Sequence, residues 1–247
     1  MAVAIFIIAL LLGSILVPLQ TQVESRNYDQ TQRILEQARE TLVGYAAAYG
    51  YFPCPADSTS NGEEASGSNH GSPGSCPKSV SGANETYNGF LPAVTLGFTP
   101  TDDNGYAVDA WGLRQNRIRY AVSRRDIGSV NRPFVSQNGM RDAGMAAILD
   151  NSSLLKVCSS GAGASGTDCG AGVVALAKNV PVVIWSLGPN AATTGGSAPH
   201  EDKNLNGNRV FVMREKSDVS TAEFDDIVTW ISPLTVFNRM IAAGNLP

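Results

Sequence analysis

Charge is what this sequence lacks at its start. From Met1 to Leu19 no side chain is ionisable, and only Gly13, Ser14 and Pro18 interrupt an aliphatic run. Histidine is scarce as well: His70 and His200 are the only two, both in Gly/Ser/Pro-rich surroundings and neither in an H-E-x-x-H pattern. That removes the commonest zinc-hydrolase arrangement. No G-x-S-x-G elbow, phosphate-cradling P-loop or G-x-G-x-x-G turn occurs, so the usual acyl-transfer and nucleotide-binding signatures are missing. Nor is there a block of Lys or Arg. With a net charge of -4, the chain lacks the basic footprint that phosphate backbones require, and no nucleic-acid binding is predicted.

What is present begins with that uncharged run, which has the length of a membrane span. A cleavable secretory signal has a basic start, a shorter apolar region and a small-residue cut site. This run starts apolar and leads straight into Leu19-Gln20-Thr21-Gln22, so it reads as a retained anchor. From Gln20 to about Tyr49, Val23, Ile34, Leu35, Ala38, Leu42, Tyr45 and Ala46 recur at three- and four-residue steps among charged residues. Span and amphipathic stretch form one predicted helix, roughly 70 Å long at about 1.5 Å per residue. Half of it must therefore pack on protein. Pro18 predicts a kink or a locally melted turn near Gly13 to Leu19.

Gly50 and Pro53 end the helix. The segments expected are thus 1–19, an apolar membrane or filament-core helix, 20–50, its amphipathic continuation, and 51–247, a globular head. The cysteines Cys54, Cys76, Cys158 and Cys169 all follow the anchor and form neither a C-x-x-C redox pair nor a zinc-ligand spacing. They predict two structural disulfides outside the cytoplasm. Four cysteines allow three connectivities. The sequence-local one, Cys54 with Cys76 and Cys158 with Cys169, is preferred because each pair brackets a Gly/Ser-rich loop.

Within the head, Ile118 to Val122, Val173 to Leu176, Val180 to Leu187 and Arg209 to Arg214 read as strands, whereas Phe90 to Phe98 is helical or irregular. Gly139 to Asp150 carries helix formers. Ser232 as N-cap, Pro233 at the first helical position and Gly244 past the end mark a final helix. The sum is an α+β fold: a long N-terminal helix packed on an antiparallel β-sheet head, with loop-rich insertions and a short C-terminal helix.

An apolar run such as Met1-Ala-Val-Ala-Ile-Phe-Ile-Ile-Ala-Leu-Leu-Leu-Gly-Ser, continued by a polar amphipathic helix with a late proline, resembles the N-terminal helix of type IV pilins and of the pseudopilins of type II secretion. Leu42-Val43-Gly44-Tyr45-Ala46, Gly50-Tyr51-Phe52-Pro53-Cys54-Pro55, Asp109-Ala110-Trp111-Gly112 with Arg119-Tyr120, and Phe224-Asp225-Asp226-Ile227-Val228-Thr229-Trp230 are similar to pieces of one bacterial pilin-like group. The resemblance implies a non-enzymatic subunit, held in the bacterial inner membrane and then assembled as a helical homopolymer, a cell-surface fimbrium, by pilus or secretion machinery. Ile5, Ile8, Leu12, Leu16 and Pro18 are the expected filament-core positions. The family's leader-peptidase site and following glutamate would fall just before this run. An isolated apolar helix of that length exposes more surface than water tolerates, so copies must bundle, and a repeated heterologous contact generates a fibre.

The sharpest local motif is Asp202-Lys203-Asn204-Leu205-Asn206-Gly207-Asn208, the first half of a D-x-[DN]-x-[DN]-G calcium loop. Asp202, Asn204 and Asn206 would offer side-chain oxygens and Asn208 its carbonyl, toward the six to eight that calcium takes. The acid expected at loop position twelve is replaced by Met213, leaving Asp225, Asp226 or Glu201 as substitutes if the fold brings them close. Some pseudopilins resemble this in holding calcium in a late loop. The competing reading is an Asn/Gly turn leading into a strand. Asp102-Asp103-Asn104-Gly105 reads as a solvated turn, and Trp111, Trp185 and Trp230 as core or interface residues. A pilus subunit, a calcium-binding secretion pseudopilin, and a membrane-anchored periplasmic enzyme or binding module remain the alternatives. The enzyme would show a deep pocket and a perturbed ionisable group.

Overall fold

The computed structural model describes residues 2–65, 76–112, 114–192, 198–219 and 222–246. Side chains are described from Thr21 onward, so the calls on Ile5, Ile8, Leu12, Leu16 and Pro18, and on His70, lie outside the described residues.

Helix α1 spans Ala2–Tyr49, 48 residues. It is helical across 13–19, so of the kink or locally melted turn expected from Pro18 the melted turn is not found. Gly50, at φ 81°, ends it. Burial begins at Thr31 and then follows the helical period through Ile34, Leu35, Ala38, Leu42, Val43 and Ala46, while every position from Thr21 to Gln30 is exposed or half-exposed. Among the described residues no helix is long and apolar enough to cross a membrane; the run Met1–Leu19 is not among those side chains.

That stripe packs on a four-stranded antiparallel sheet. Its strands are β1 (Thr86–Phe90), β2 (Arg119–Ser123), β5 (Val182–Ser186) and β7 (Ile227–Ile231), in the order β1-β2-β5-β7. A second sheet, in the order β4-β3-β6, joins β3 (Leu155–Cys158), β4 (Ala175–Val180) and β6 (Val210–Val212), with β3 and β6 parallel. The head is therefore a helix and two sheets in three layers, rather than one antiparallel sheet on the helix. Tyr120, Val122, Val182 and Ile184 join the core facing α1, while Ala121, Val183, Trp185 and Val228 join the core shared with Leu155, Val157 and Phe211. Strand side chains alternate faces, so β5, covered on both, is apolar at both parities.

Short helices close the loops: α2 (Ala93–Leu96), α3 (Gly139–Ala143), α4 (Met145–Leu149) and α5 (Asp202–Leu205), then α6 (Pro233–Ala242) lying along α1. Gly144 at φ 79° splits the expected 139–150 helix into α3 and α4. Pro181 separates β4 from β5 within the predicted Val180 to Leu187 strand. Ser232 has the extended backbone of an N-cap, and its side chain makes no capping bond. The disulfides join Cys54 to Cys76 and Cys158 to Cys169, with Cα separations of 5.6 and 5.8 Å.

Two outcomes follow for stability. Leu42, fully buried, costs about 2–5 kcal/mol on truncation to Ala through lost burial and a residual cavity. The pair Cys158→Ser and Cys169→Ser costs about 2–4 kcal/mol by releasing its loop. Urea denaturation monitored by circular dichroism checks both.

A buried carboxylate cluster behind the long helix

Helix formation at Asp202–Leu205 decides the fate of the predicted calcium loop. In a helix, alternate residues point to nearly opposite sides, so Asp202, Asn204 and Asn206 cannot converge as they do in an extended calcium loop. Asp202 is exposed and lies 3.9 Å from Lys203. Asn204 turns inward and is fully buried. Its Nδ2 donates to the Val212 carbonyl at 3.1 Å and to Asp226 Oδ2 at 2.7 Å, and its Oδ1 accepts from Val212 N at 2.7 Å. The amide thus caps the outer edge of β6. Asn206 accepts from Asn208 N at 2.9 Å, and Asn208 Oδ1 accepts from Asn84 at 2.5 Å.

The acids considered as substitutes do come together. Glu201, Asp225 and Asp226 present carboxylate oxygens all within 4.8 Å of one another. Their exposures are 0%, 8% and 4%. Glu201 stands at the start of α5, and the two aspartates end the connection from β6 to β7. Glu201 Oε1 accepts from Asp225 N at 2.9 Å, and both its oxygens accept from Asn190 Nδ2 at 3.2 and 3.3 Å. Asp225 Oδ2 accepts from Asn190 N at 3.1 Å. Asp225 Oδ1 and Asp226 Oδ1 have no donor.

Three carboxylates this close and this dry cannot all stay ionised without a counter-charge. Burial first, then the neighbouring Glu201 charge, raises Asp225 from 3.8 to about 7. Burial also raises Asp226 well above the usual carboxylate range and lifts Glu201. Protons shared within the cluster neutralise it; a hard divalent cation bridging the oxygens does so equally well. The residues fit such an ion in type and spacing, although three carboxylates supply only part of a calcium shell.

The cluster sits behind α1. Asp226 lines a groove of about 650 Å³ between Tyr28–Glu36 of α1 and Met213–Arg214 with Ile227–Thr229. Asp225 lines a smaller one of about 310 Å³ bounded by Glu24, Tyr28, Trp111, Pro189 and Lys216.

The other sequence candidates are structural. Asp102 Oδ1 accepts from Asn104 N and Tyr106 N, both at 2.9 Å, and Oδ2 pairs with Arg117 at 2.6 Å, which makes a closed turn. Asp109, buried, accepts from Ser186 Oγ at 2.5 Å, Asn116 Nδ2 at 3.0 Å and Trp111 N at 2.9 Å. His200 Nδ1 accepts from Gly161 N at 3.0 Å, tying the Cys158–Cys169 loop to α5. Trp185 is wholly buried, whereas Trp111 and Trp230 are half-buried. Asn190 and the inward turn of Asn204 were not anticipated; a short helix inside an Asn/Gly-rich motif gives no periodic signal.

Comparison with protein-family models, curated proteins and solved structures finds no match to this chain.

Because these carboxylates bind protons more tightly folded than unfolded, the stability they contribute is complete below the ordinary value near 3.8 and is lost as pH rises through about 7. In chelator, the melting temperature is expected to fall between pH 5 and pH 8. Asp226→Asn flattens that slope. Thermal melts across pH, with and without calcium, check it; a bound cation restores the pH 8 value.

Proposed function

We propose that this chain is a structural subunit of a type IV pilus-like filament. The observation that carries the reading is α1: a 48-residue helix in which, among the side chains described from Thr21 onward, burial in the head begins at Thr31. The preceding stretch, Ala2 to Gln30, amounts to about 43 Å of helix at about 1.5 Å per residue. An isolated apolar rod such as the run from Ala2 to Leu19 is strongly disfavoured in water. Bundling with identical rods supplies the missing partner, in membrane first and along a fibre afterwards. Disulfides at Cys54–Cys76 and Cys158–Cys169 fit a head exposed outside the cytoplasm, in keeping with surface attachment.

Within this reading, calcium is the ion proposed for Glu201, Asp225 and Asp226. That feature leans toward a secretion pseudopilin, whereas the large stapled head leans toward a displayed pilus. A second reading, a membrane-anchored enzyme, draws on one observation: carboxylates of raised pKa border the 650 Å³ groove.

Electron microscopy of material sheared from cells expressing the full chain tests the proposal. Fibres labelled by antibody to the head are expected, together with loss of fibres when Leu12 and Leu16 are both changed to Asp. A detergent-bound monomer that never polymerises overturns it.

A further inference from the structure

Strand β7 pairs with β5 through five consecutive residues, and its other side is an outer edge of the four-stranded sheet. The direction of its backbone groups follows from the register. Ser123 N donates to the Pro181 carbonyl at 2.9 Å, so Pro181, Val183 and Trp185 turn their backbone groups toward β2. Val182, Ile184 and Ser186 then turn theirs toward β7, where they meet Ile231, Thr229 and Ile227. Val228 and Trp230 therefore present N–H and carbonyl groups outward. Among the described residues none of these four groups is bonded.

The other three sheet edges are blocked or irregular. On β1, Phe90 and Ala56 exchange both backbone bonds at 2.8 Å, and Gly82 N donates to the Thr86 carbonyl at 2.9 Å. On β6, Asn204 occupies both the N–H and the carbonyl of Val212. Strand β4 carries two register shifts against β3 and an exposed Lys178, features that discourage further pairing. Strand β7 has no such shift and no lysine.

The groove of about 650 Å³ runs along this open edge. Ile227, Val228 and Thr229 line it in succession. Successive side chains point to opposite faces of a strand, so a groove touching three in a row follows the edge. Helix α1 forms one wall, with Arg33, and Met213 and Arg214 beyond β6 form the other. Two walls admit a single extended chain and hold off a second sheet. The charges bordering the groove are unequal, because Glu36 is taken by Arg39 at 2.7 Å and Asp226 by Asn204 at 2.7 Å. That leaves Arg33 and Arg214, neither of which has an ion pair among the described residues, against Asp29 alone.

We infer that the open edge of β7 is a docking site for an extended segment of another protein, added to the sheet as a strand and bearing two neighbouring carboxylates. The main-chain bonds of Val228 and Trp230 supply the attachment, and the walls supply the selectivity. Adjacent residues of an added strand point to opposite walls, so one acid meets Arg33 and the next meets Arg214. The site is independent of the filament reading, and its test needs no fibres.

The full-length chain in detergent micelles is titrated with a fluorescent eight-residue peptide of threonine and valine carrying two adjacent glutamates at its centre. Saturable anisotropy is expected, with slowed amide exchange across 227–231 read by mass spectrometry. The same peptide methylated on its backbone nitrogens keeps its side chains and loses its donors, and is expected to bind at least about tenfold more weakly, or about 1.4 kcal/mol. Arg33→Glu with Arg214→Glu is expected to lose a similar factor, and a peptide with lysines in place of the glutamates to recover it. An unchanged melting temperature confirms that the variant folds, and the methylated peptide tests the edge on the unaltered chain. Equal binding by the methylated peptide, unchanged exchange across 227–231, or no binding of the parent peptide overturns the site. Protection that rises with protein concentration without peptide makes a second copy the occupant and overturns the partner.

Discussion

The contact on which the rest depends is the stripe from Ile34 to Ala46 of α1 against the inner face of the four-stranded sheet. Helix α6 extends the same core through Val236, Phe237 and Met240. Once the inner face is covered, the opposite face needs its own lid, and the β4-β3-β6 sheet provides it around Trp185 and Phe211, whose rings lie 5.1 Å apart. Central strand β5 is then buried on both sides. The Gly/Ser-rich segments cannot build a core, and the two disulfides tie them to the layers that can.

Sealing three layers also traps polar groups, and their bonds tie the layers together. Thr31 accepts from Ala110 N at 3.1 Å, fixing the depth at which the helix enters the head. The residue before Ala110, Asp109, is bonded to Ser186 at the end of β5. One short chain of bonds thus runs from α1 through a loop to the central sheet. The Glu201, Asp225 and Asp226 cluster is a second such node, between the two sheets and the helix. Each group lost from these nodes leaves a buried partner unsatisfied, at about 1–3 kcal/mol.

Much of this was legible in the residues, and the failures have identifiable causes. The three- and four-residue spacing of Leu35, Ala38, Leu42 and Ala46 marks the packed face directly. Strands β5 and β6 are β-branched and bounded by turn residues, which is why they were visible. Strand β1, Thr-Tyr-Asn-Gly-Phe, carries too many turn formers to read as a strand, and only its pairing with β2 makes it one. Strands β3 and β7 went unread as well: β3 is just four residues long, and β7 had been noted for its sequence pattern rather than its conformation. The Asp202–Asn208 motif reads as half of a calcium loop or as an Asn/Gly turn; tertiary bonding of Asn204 to Val212 and Asp226 accompanies a short helix there. Of the acids that do meet, Asp225 and Asp226 are adjacent, but Glu201 lies more than twenty positions before them, a proximity only the fold can create.

The same geometry bears on whether the carboxylates act on a substrate or hold the head together. A catalytic acid must touch what it protonates. Glu201 is fully buried and held through both oxygens by Asn190 and the Asp225 backbone. Asp226 reaches the larger groove with only 4% of its surface exposed, and its other contact is to Asn204, a residue committed to capping β6. Glu201, engaged through both oxygens, is poorly placed to exchange partners, whereas Asp225 Oδ1 and Asp226 Oδ1 have no donor. The three carboxylates are well placed to link α5, the 189–192 turn and the entry to β7, provided something neutral or positive sits among them. A shared proton and a bound cation meet that need by different means, and both make the cluster a fastener between the layers that α1 brings together.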